Sequence, residues 1–180
     1  MARVYHSTAG ATVDAGWAVR NGAIGGVIAG IVFAAAEMLA AWFTMGKPAA
    51  PLHMIAGIPL QQDPMQISDG TAIVVGMLFH MVYSATVGVI VAFVVTSVAV
   101  LRNSPATTVI FSTVLGLVLW PLNFYVIAPL IHAPWFAAVT NPSDQIQQAI
   151  WHALFGAVLG LYLASRLGPT RPGRENTARM

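Results

Sequence analysis

Four long apolar segments constrain this chain more than any other feature of its sequence. They are the stretches 22–43, 71–101, 106–131 and 146–167. Each is long enough to cross the hydrocarbon core of a bilayer, which takes about 20 apolar residues in helical form. A water-soluble domain averages about 25% charged residues, whereas only 8% of this chain is charged. The chain is therefore predicted to be an all-α integral membrane protein whose four spans form an up-down-up-down four-helix bundle.

The remaining segments predict the domain organisation. Residues 1–20 are expected to form an N-terminal cytoplasmic segment, residues 21–167 the four-span transmembrane domain, and residues 168–180 a disordered basic tail. Cysteine is absent, which excludes disulfides and thiolate metal sites. The sequence pI of about 9.4 reflects the basic tail rather than a nucleic-acid-binding face, so no nucleic-acid partner is expected.

The basic residues predict how the bundle is oriented. Seven of the eight Lys and Arg residues would lie on one side of the membrane: Arg3, Arg20, Arg102, Arg166, Arg171, Arg174 and Arg179. Only Lys47 would lie on the other side. Because basic loops stay in the cytoplasm, both termini are predicted to be cytoplasmic. The protein is thus expected to be a multi-pass protein of the bacterial inner membrane, with the lipid bilayer as its first partner.

One of the predicted outer loops, residues 44–70, contains an apolar segment of a different kind. The stretch "PLHMIAGIPL", residues 51–60, is mostly apolar but too short to span a bilayer. The prolines of this loop forbid a long helix. The stretch is therefore predicted to lie in the membrane interface or to re-enter between the spans.

Small residues at helical spacing predict which face of each span points inward, because helices in lipid pack closely through such residues. The predicted packing residues are Gly22, Gly26, Gly30, Gly76, Gly88, Gly116, Gly156 and Gly160. Each span also carries one strongly polar side chain on this inward face. In chain order these are Glu37, His80, Asn123 and His152. At 1.5 Å per residue, all four are expected about 8–15 Å below the outer surface. They are predicted to form one polar cluster, with Ser84 and Gln148 beside it.

Two imidazoles and a carboxylate are sufficient ligands for zinc, copper or non-haem iron. Glu37, His80 and His152 are therefore candidate ligands of a divalent metal. Asn123, Ser84 and Gln148 would support them through hydrogen bonds.

Other roles for the same polar groups remain open. His80 and His152 lie on spans that are diagonal in such a bundle, so they could ligate a single b-type haem. Glu37 and the two histidines could instead relay protons or ions, which would make the protein a small transporter or proton-linked permease. The cluster could also only fix the register of the helices.

The sequence contains no pattern typical of a soluble enzyme. It has no glycine-rich phosphate loop, no GxSxG and no HExxH motif, the patterns that mark phosphate binding, serine hydrolysis and zinc proteolysis. A non-catalytic role is therefore favoured. The protein could bind a metal, act as an accessory subunit of a larger membrane complex, or form a homo-oligomer.

Four motifs, "PLHMIAGI", "FHMVYSATVG", "LWPLNFY" and "WHALFGAVLG", carry a resemblance across about residues 22–165. The chain resembles a widespread group of small, uncharacterised four-span proteins of the bacterial inner membrane. It is also distantly similar to YagU-type proteins, which share a Pro-Trp outer loop before a His-containing fourth span. The resemblance implies four spans and singles out His80, Asn123 and His152. It implies no reaction, because the group has no established activity.

Overall fold

The computed structural model of the chain describes residues 14–136 and 139–167. Four long helices form its framework, namely α1 (Ala15–Met45), α3 (Asp69–Ser97), α5 (Pro105–Leu130) and α6 (Pro142–Leu167). Two shorter helices, α2 (Ala50–Leu60) and α4 (Ala99–Arg102), lie in the connections. The described residues contain no strand, and the four long helices are long and apolar enough to cross a membrane. This confirms the predicted all-α membrane bundle, whereas the predictions for residues 1–13 and 168–180 lie outside the described residues.

The first span begins earlier in the chain than predicted, at Ala15 instead of residue 22. Asp14 explains this start, since its carboxylate accepts a hydrogen bond from the Trp17 backbone N–H at 2.9 Å and so caps the helix. At the other end Gly46 adopts a left-handed conformation with φ of 66°. Its N–H donates to the Trp42 carbonyl at 2.9 Å, which is how many helices end.

The second span ends at Ser97 rather than at residue 101. Val98 is extended, with φ of −103° and ψ of 112°, and the chain then starts the short helix α4. The Arg102 guanidinium folds back and donates to the Thr96 carbonyl at 2.8 Å. A hydrogen bond of this kind satisfies a carbonyl that has no partner within its own helix, so α3 can stop before the apolar segment does.

The remaining two spans also begin before the predicted residues 106 and 146. α5 starts at Pro105 behind Ser104, whose hydroxyl accepts from the Thr107 backbone N–H at 3.2 Å. α6 starts at Pro142. Proline suits the first turn of a helix, where its missing N–H has no partner to lose.

Glycine contacts hold α1 against α3. Gly22 lies on the backbone of Gly88, and Gly26 lies on the backbone of Ser84. A side chain at either position would meet backbone atoms of the facing helix. Close approach of this kind supplies the packing energy between helices in lipid.

A second glycine interface holds α5 against α6. Gly116 lies on the backbone of His152 and Gly156, and Gly160 lies on Ser112. Contacts between α1 and α6 join the two helix pairs. In this interface Gly25 of α1 lies against the Tyr162 ring of α6.

In this packing order, α3 and α5 are the neighbouring spans that approach each other least closely. α1 lies beside α3 and α6, and α6 lies beside α5, whereas α3 and α5 make few contacts with each other in the described residues. We call the gap between them the α3–α5 cleft. The outward faces of the four long helices carry large exposed apolar side chains, for example Leu78, Ile110 and Leu161, as expected of surfaces in contact with lipid.

Candidate functional site

A cavity of about 420 Å³ lies inside the bundle, at the end where α2 packs. All four long helices contribute to its walls, together with α2 and the segment that follows α5. We call this feature the central cavity. Its wall is mostly apolar, and the polar side chains in it are Glu37, Thr44, His80, Tyr83, Ser84, Asn123, Gln147, Gln148 and His152.

Helix α2 covers the central cavity. It begins with Pro51 in its first turn and has Pro59 in its last turn, so the prolines limit the helix without interrupting it. Leu52 is only 1% exposed, and Gly76 of α3 lies on its carbonyl. Gly76, predicted to face another span, therefore packs against α2 instead.

Two hydrogen bonds tie α2 to the segment that follows α5. The Trp135 indole N–H donates to the Met54 carbonyl at 3.0 Å. The Gln61 amide donates to the Ile131 carbonyl at 3.3 Å. The predicted interfacial stretch is thus a helix with fixed partners on both sides, α3 on one and the segment after α5 on the other.

His80 projects from α3 towards α1. Its Nε2 atom is 3.0 Å from the Gly30 carbonyl oxygen, which requires Nε2 to donate because a carbonyl only accepts. In the neutral ring Nδ1 then holds a lone pair. The missing side chain of Gly30 makes room for the Ser84 side chain, while its carbonyl is the acceptor for His80.

His152 is held within its own helix, with Nδ1 2.8 Å from the Gln148 carbonyl oxygen. By the same reasoning Nδ1 donates, and the neutral ring keeps its lone pair on Nε2. The Phe33 ring contacts both imidazoles, at centroid distances of 5.3 Å to His80 and 5.1 Å to His152. One aromatic side chain of α1 therefore packs against both histidines.

Glu37 is the only carboxylate among the described residues that line the central cavity. Its side chain is 8% exposed and shares the cavity wall with Gln147 and Gln148 of α6. The backbone carbonyl of Gln148 is the one that accepts from His152.

Asn123 lies on the opposite wall, next to the α3–α5 cleft. Its side-chain oxygen accepts a hydrogen bond of 2.6 Å from the Tyr83 hydroxyl. This bond connects α3 to α5 across the cleft. Asn123 was predicted to support the histidines, but Tyr83 is its partner. Ser84 packs against Gly26 and Gly30.

The polar side chains do not assemble into the predicted three-ligand metal site. Among residues 14–136 and 139–167, no three His, Cys, Asp or Glu side chains are placed to hold a metal ion. The Phe33 ring instead packs against both imidazoles. Ligation of a b-type haem by His80 and His152 stays a prediction.

Aromatic rings are the feature of this cavity that the sequence analysis missed. The rings in its wall belong to Phe33, Phe79, Tyr83, Phe124, Phe136, Trp151 and Phe155. Helical spacing could have found at least three of them. Phe33 lies four residues before Glu37, and Tyr83 lies three residues after His80. Phe155 likewise lies three residues after His152, and such separations share a helix face. Phe136, which lies in the segment after α5, has no helical spacing that would have indicated it.

Comparison with protein-family models, with curated proteins and with solved structures finds no match for this chain.

Proposed function

We propose that this protein is a membrane-embedded binding protein that holds a small lipid-soluble molecule, with one polar end, in the central cavity. The cavity itself supports this most strongly, since its volume of about 420 Å³ falls within the range of about 300–1,000 Å³ that is usual for ligand sites. Ligand sites are commonly apolar with a few polar groups that fix orientation. Glu37, His80 and His152 supply such groups here.

The proposed site lies in the half of the membrane away from the cytoplasm of a bacterial cell. Arg20, Arg102 and Arg166 lie at the end of the bundle opposite α2, whereas Lys47 lies at the α2 end. Because basic residues mark the cytoplasmic side, this distribution supports an inner-membrane protein with both termini in the cytoplasm.

The proposed route into the cavity is the α3–α5 cleft. The helices beside it make few contacts with each other, and the Tyr83–Asn123 hydrogen bond spans it. A single side-chain hydrogen bond in a membrane protein is worth about 0.6 kcal/mol on average. A molecule dissolved in the bilayer could therefore separate these two side chains at small cost and reach the cavity from the lipid.

A second candidate is a carrier that moves the bound molecule across the membrane. Both helices beside the cleft contain a π-helical stretch at the α2 end, Ala72–Gly76 in α3 and Asn123–Ile127 in α5. Such stretches are rare and often lie at functional sites, and interrupted helices are typical of transporters. A carrier would release a bound probe on both sides of a vesicle, whereas a binding protein would release it only on the side from which it entered.

Photolabelling with benzophenone tests the binding proposal, because this neutral, lipid-soluble ketone inserts into nearby C–H bonds when illuminated. In protein purified in detergent, we expect labels on peptides of the cavity wall that contain Met45 and Met54. Ala41→Phe, which fills part of the cavity from a buried position of α1, should reduce these labels at least fivefold.

Ala35→Phe provides the matched control, since Ala35 lies on the same helix but is exposed to lipid. This variant should label as the native chain does. Labels spread evenly over the lipid-facing surfaces, or labels at Met54 that Ala41→Phe leaves unchanged in a monodisperse protein, would rule out the cavity as a binding site.

A further inference from the structure

The charges around the central cavity indicate which class of molecule it holds, an inference that rests on the proposed binding function. Glu37 places a carboxyl group in the wall, and no Lys or Arg is found among the described lining residues. Lys47, the nearest basic residue in sequence, lies in the turn that follows α1 and is not part of the wall. A buried carboxylate is costly unless a partner of opposite charge compensates it, and the cavity-lining residues that the structure describes include no Lys or Arg to do so.

The hydrogen-bonding groups of the wall also favour a ligand that donates. His80 and His152 each give one N–H to a backbone carbonyl, so each neutral ring has a lone pair left over. The Asn123 side-chain oxygen accepts from Tyr83, which leaves its amide N–H groups as donors. The two histidine lone pairs and the Glu37 carboxylate give the same wall acceptors, which suit a ligand with N–H donors or a positive charge.

Aromatic rings surround these acceptors. Phe33 lies 6.5 Å from Phe155, and Phe124 lies 5.2 Å from Phe136 and 6.0 Å from the His152 ring, all between centroids. The negative face of an aromatic ring attracts organic cations within about 6 Å of its centroid, and aromatic cages recognise quaternary ammonium groups in this way. A hydrated metal ion would gain little from such a wall, whereas a cation with an apolar body could contact these rings.

We propose that the central cavity selects an organic cation, such as an amine or quaternary ammonium group on an apolar body, with Glu37 as the counter-charge. The body fills the aromatic space, and the cationic end lies by the carboxylate between α1 and α6. An anion of the same shape is rejected because it would meet the Glu37 charge with no basic residue to offset it.

Two probes of equal shape and opposite charge test this proposal. Tetraphenylphosphonium is a lipid-soluble cation, and tetraphenylborate is its anionic counterpart. Titration of the detergent-purified full chain should give saturable binding of one tetraphenylphosphonium per protein and no saturable binding of tetraphenylborate. Equal or tighter binding of the borate would overturn the proposal.

Variants at Glu37 complete the test. Glu37→Gln keeps the shape of the side chain and should weaken phosphonium binding at least tenfold. Asp144→Asn, which removes an exposed charge outside the cavity, should stay within about threefold of the native affinity. Unchanged phosphonium binding by Glu37→Gln would show that the carboxylate is not the counter-charge.

Benzophenone separates failure of this inference from failure of the proposed function. Normal benzophenone labelling of the cavity, combined with no saturable phosphonium binding, would contradict only the choice of a cation. Loss of both would contradict the binding function as well. Benzophenone labelling retained by Glu37→Gln would also show that this variant keeps the cavity intact.

Discussion

Gly26 shows how the absence of one side chain determines the distance between two helices. A carbon atom placed at its Cβ position would lie on the Ser84 carbonyl and 3.0 Å from the Ala85 Cα. Both are backbone atoms, so they cannot rotate away as a flexible side chain could. Any larger residue must therefore push α1 and α3 apart.

Replacement of Gly26 by Leu should consequently destabilise the bundle much more than Val32→Leu. Overpacking costs about 1–3 kcal/mol in well-packed interiors, and contact with backbone places Gly26→Leu at or above that range. Val32 is 37% exposed on the lipid-facing side of the same helix, so its replacement should change stability by less than about 0.5 kcal/mol. The free energy of unfolding of both variants can be measured by titration with sodium dodecyl sulfate in mixed micelles. Equal stability of the two variants would mean that Gly26 does not face α3.

The Tyr83–Asn123 hydrogen bond offers a second prediction for single residues. Tyr83→Phe and Asn123→Ala each remove one partner, and the double variant should cost less than the sum of the two. We expect a coupling energy of about 0.6 kcal/mol and not above about 1.7 kcal/mol, the range found for membrane proteins. A double-mutant cycle on the free energy of unfolding measures it. Additive effects would show that the two side chains do not interact across the cleft.

For whole helices, the sequence predicts the number of spans well and their ends less well. Each of the four apolar segments corresponds to one of the four long helices, because only helices satisfy every backbone group in lipid. The ends depend on local contacts that hydropathy does not report. The Asp14 carboxylate caps α1 and lets it begin at Ala15, and the Arg102 guanidinium lets α3 end at Ser97.

The candidate site could also be predicted only in part from the sequence. The rise per residue of a helix is constant, so the depth of Glu37, His80 and His152 could be derived, and all three line one cavity. The partners of these side chains depend on neighbouring rings and backbone from distant segments. Phe33 contacts both imidazoles, and the Tyr83 hydroxyl donates a hydrogen bond to Asn123. No spacing rule indicates either contact.

Helix α2 is held to α3 by a side chain that the sequence analysis did not assign. His53 has Nδ1 3.0 Å from the Pro64 carbonyl and Nε2 2.8 Å from the Asp69 carboxylate. Both partners are acceptors, so both contacts form together only when both ring nitrogens carry hydrogen. His53 thereby connects α2, the turn after it and the first residue of α3.

Replacement of His53 by Ala should therefore loosen α2 over the cavity. We expect the α2 backbone amides to exchange hydrogen with solvent two- to fivefold faster, a modest factor because exposed pairs contribute only about 0.2–1 kcal/mol. Met65→Ala is the control, since Met65 is 85% exposed beside the same turn. Hydrogen exchange followed by mass spectrometry measures both variants. Unchanged exchange in His53→Ala would show that the hydrogen bonds of Trp135 and Gln61 are sufficient to hold α2.

For the whole molecule, the proposed orientation predicts where attached reporters will be active. Fusions after residue 103 and after residue 180 should report a cytoplasmic location, and fusions near residues 62 and 140 should report the opposite side. The physical reason is that translocation of basic segments is disfavoured. Alkaline phosphatase, active only outside the cytoplasm, and green fluorescent protein, fluorescent mainly inside, measure the two sides. A C-terminus found outside would turn the central cavity towards the cytoplasm.

The pairing of helices also bears on how the chain is made. Each closest pair consists of spans that follow one another along the chain, α1 with α3 and α5 with α6, so each pair can close its glycine interface as soon as its second helix leaves the ribosome. The first hairpin need not wait for the last span to be translated. Separate synthesis of residues 1–103 and 104–180 in one cell should accordingly yield two inserted fragments that co-purify through the contact of α1 with α6. The break would fall at the turn after α4, which belongs to neither hairpin.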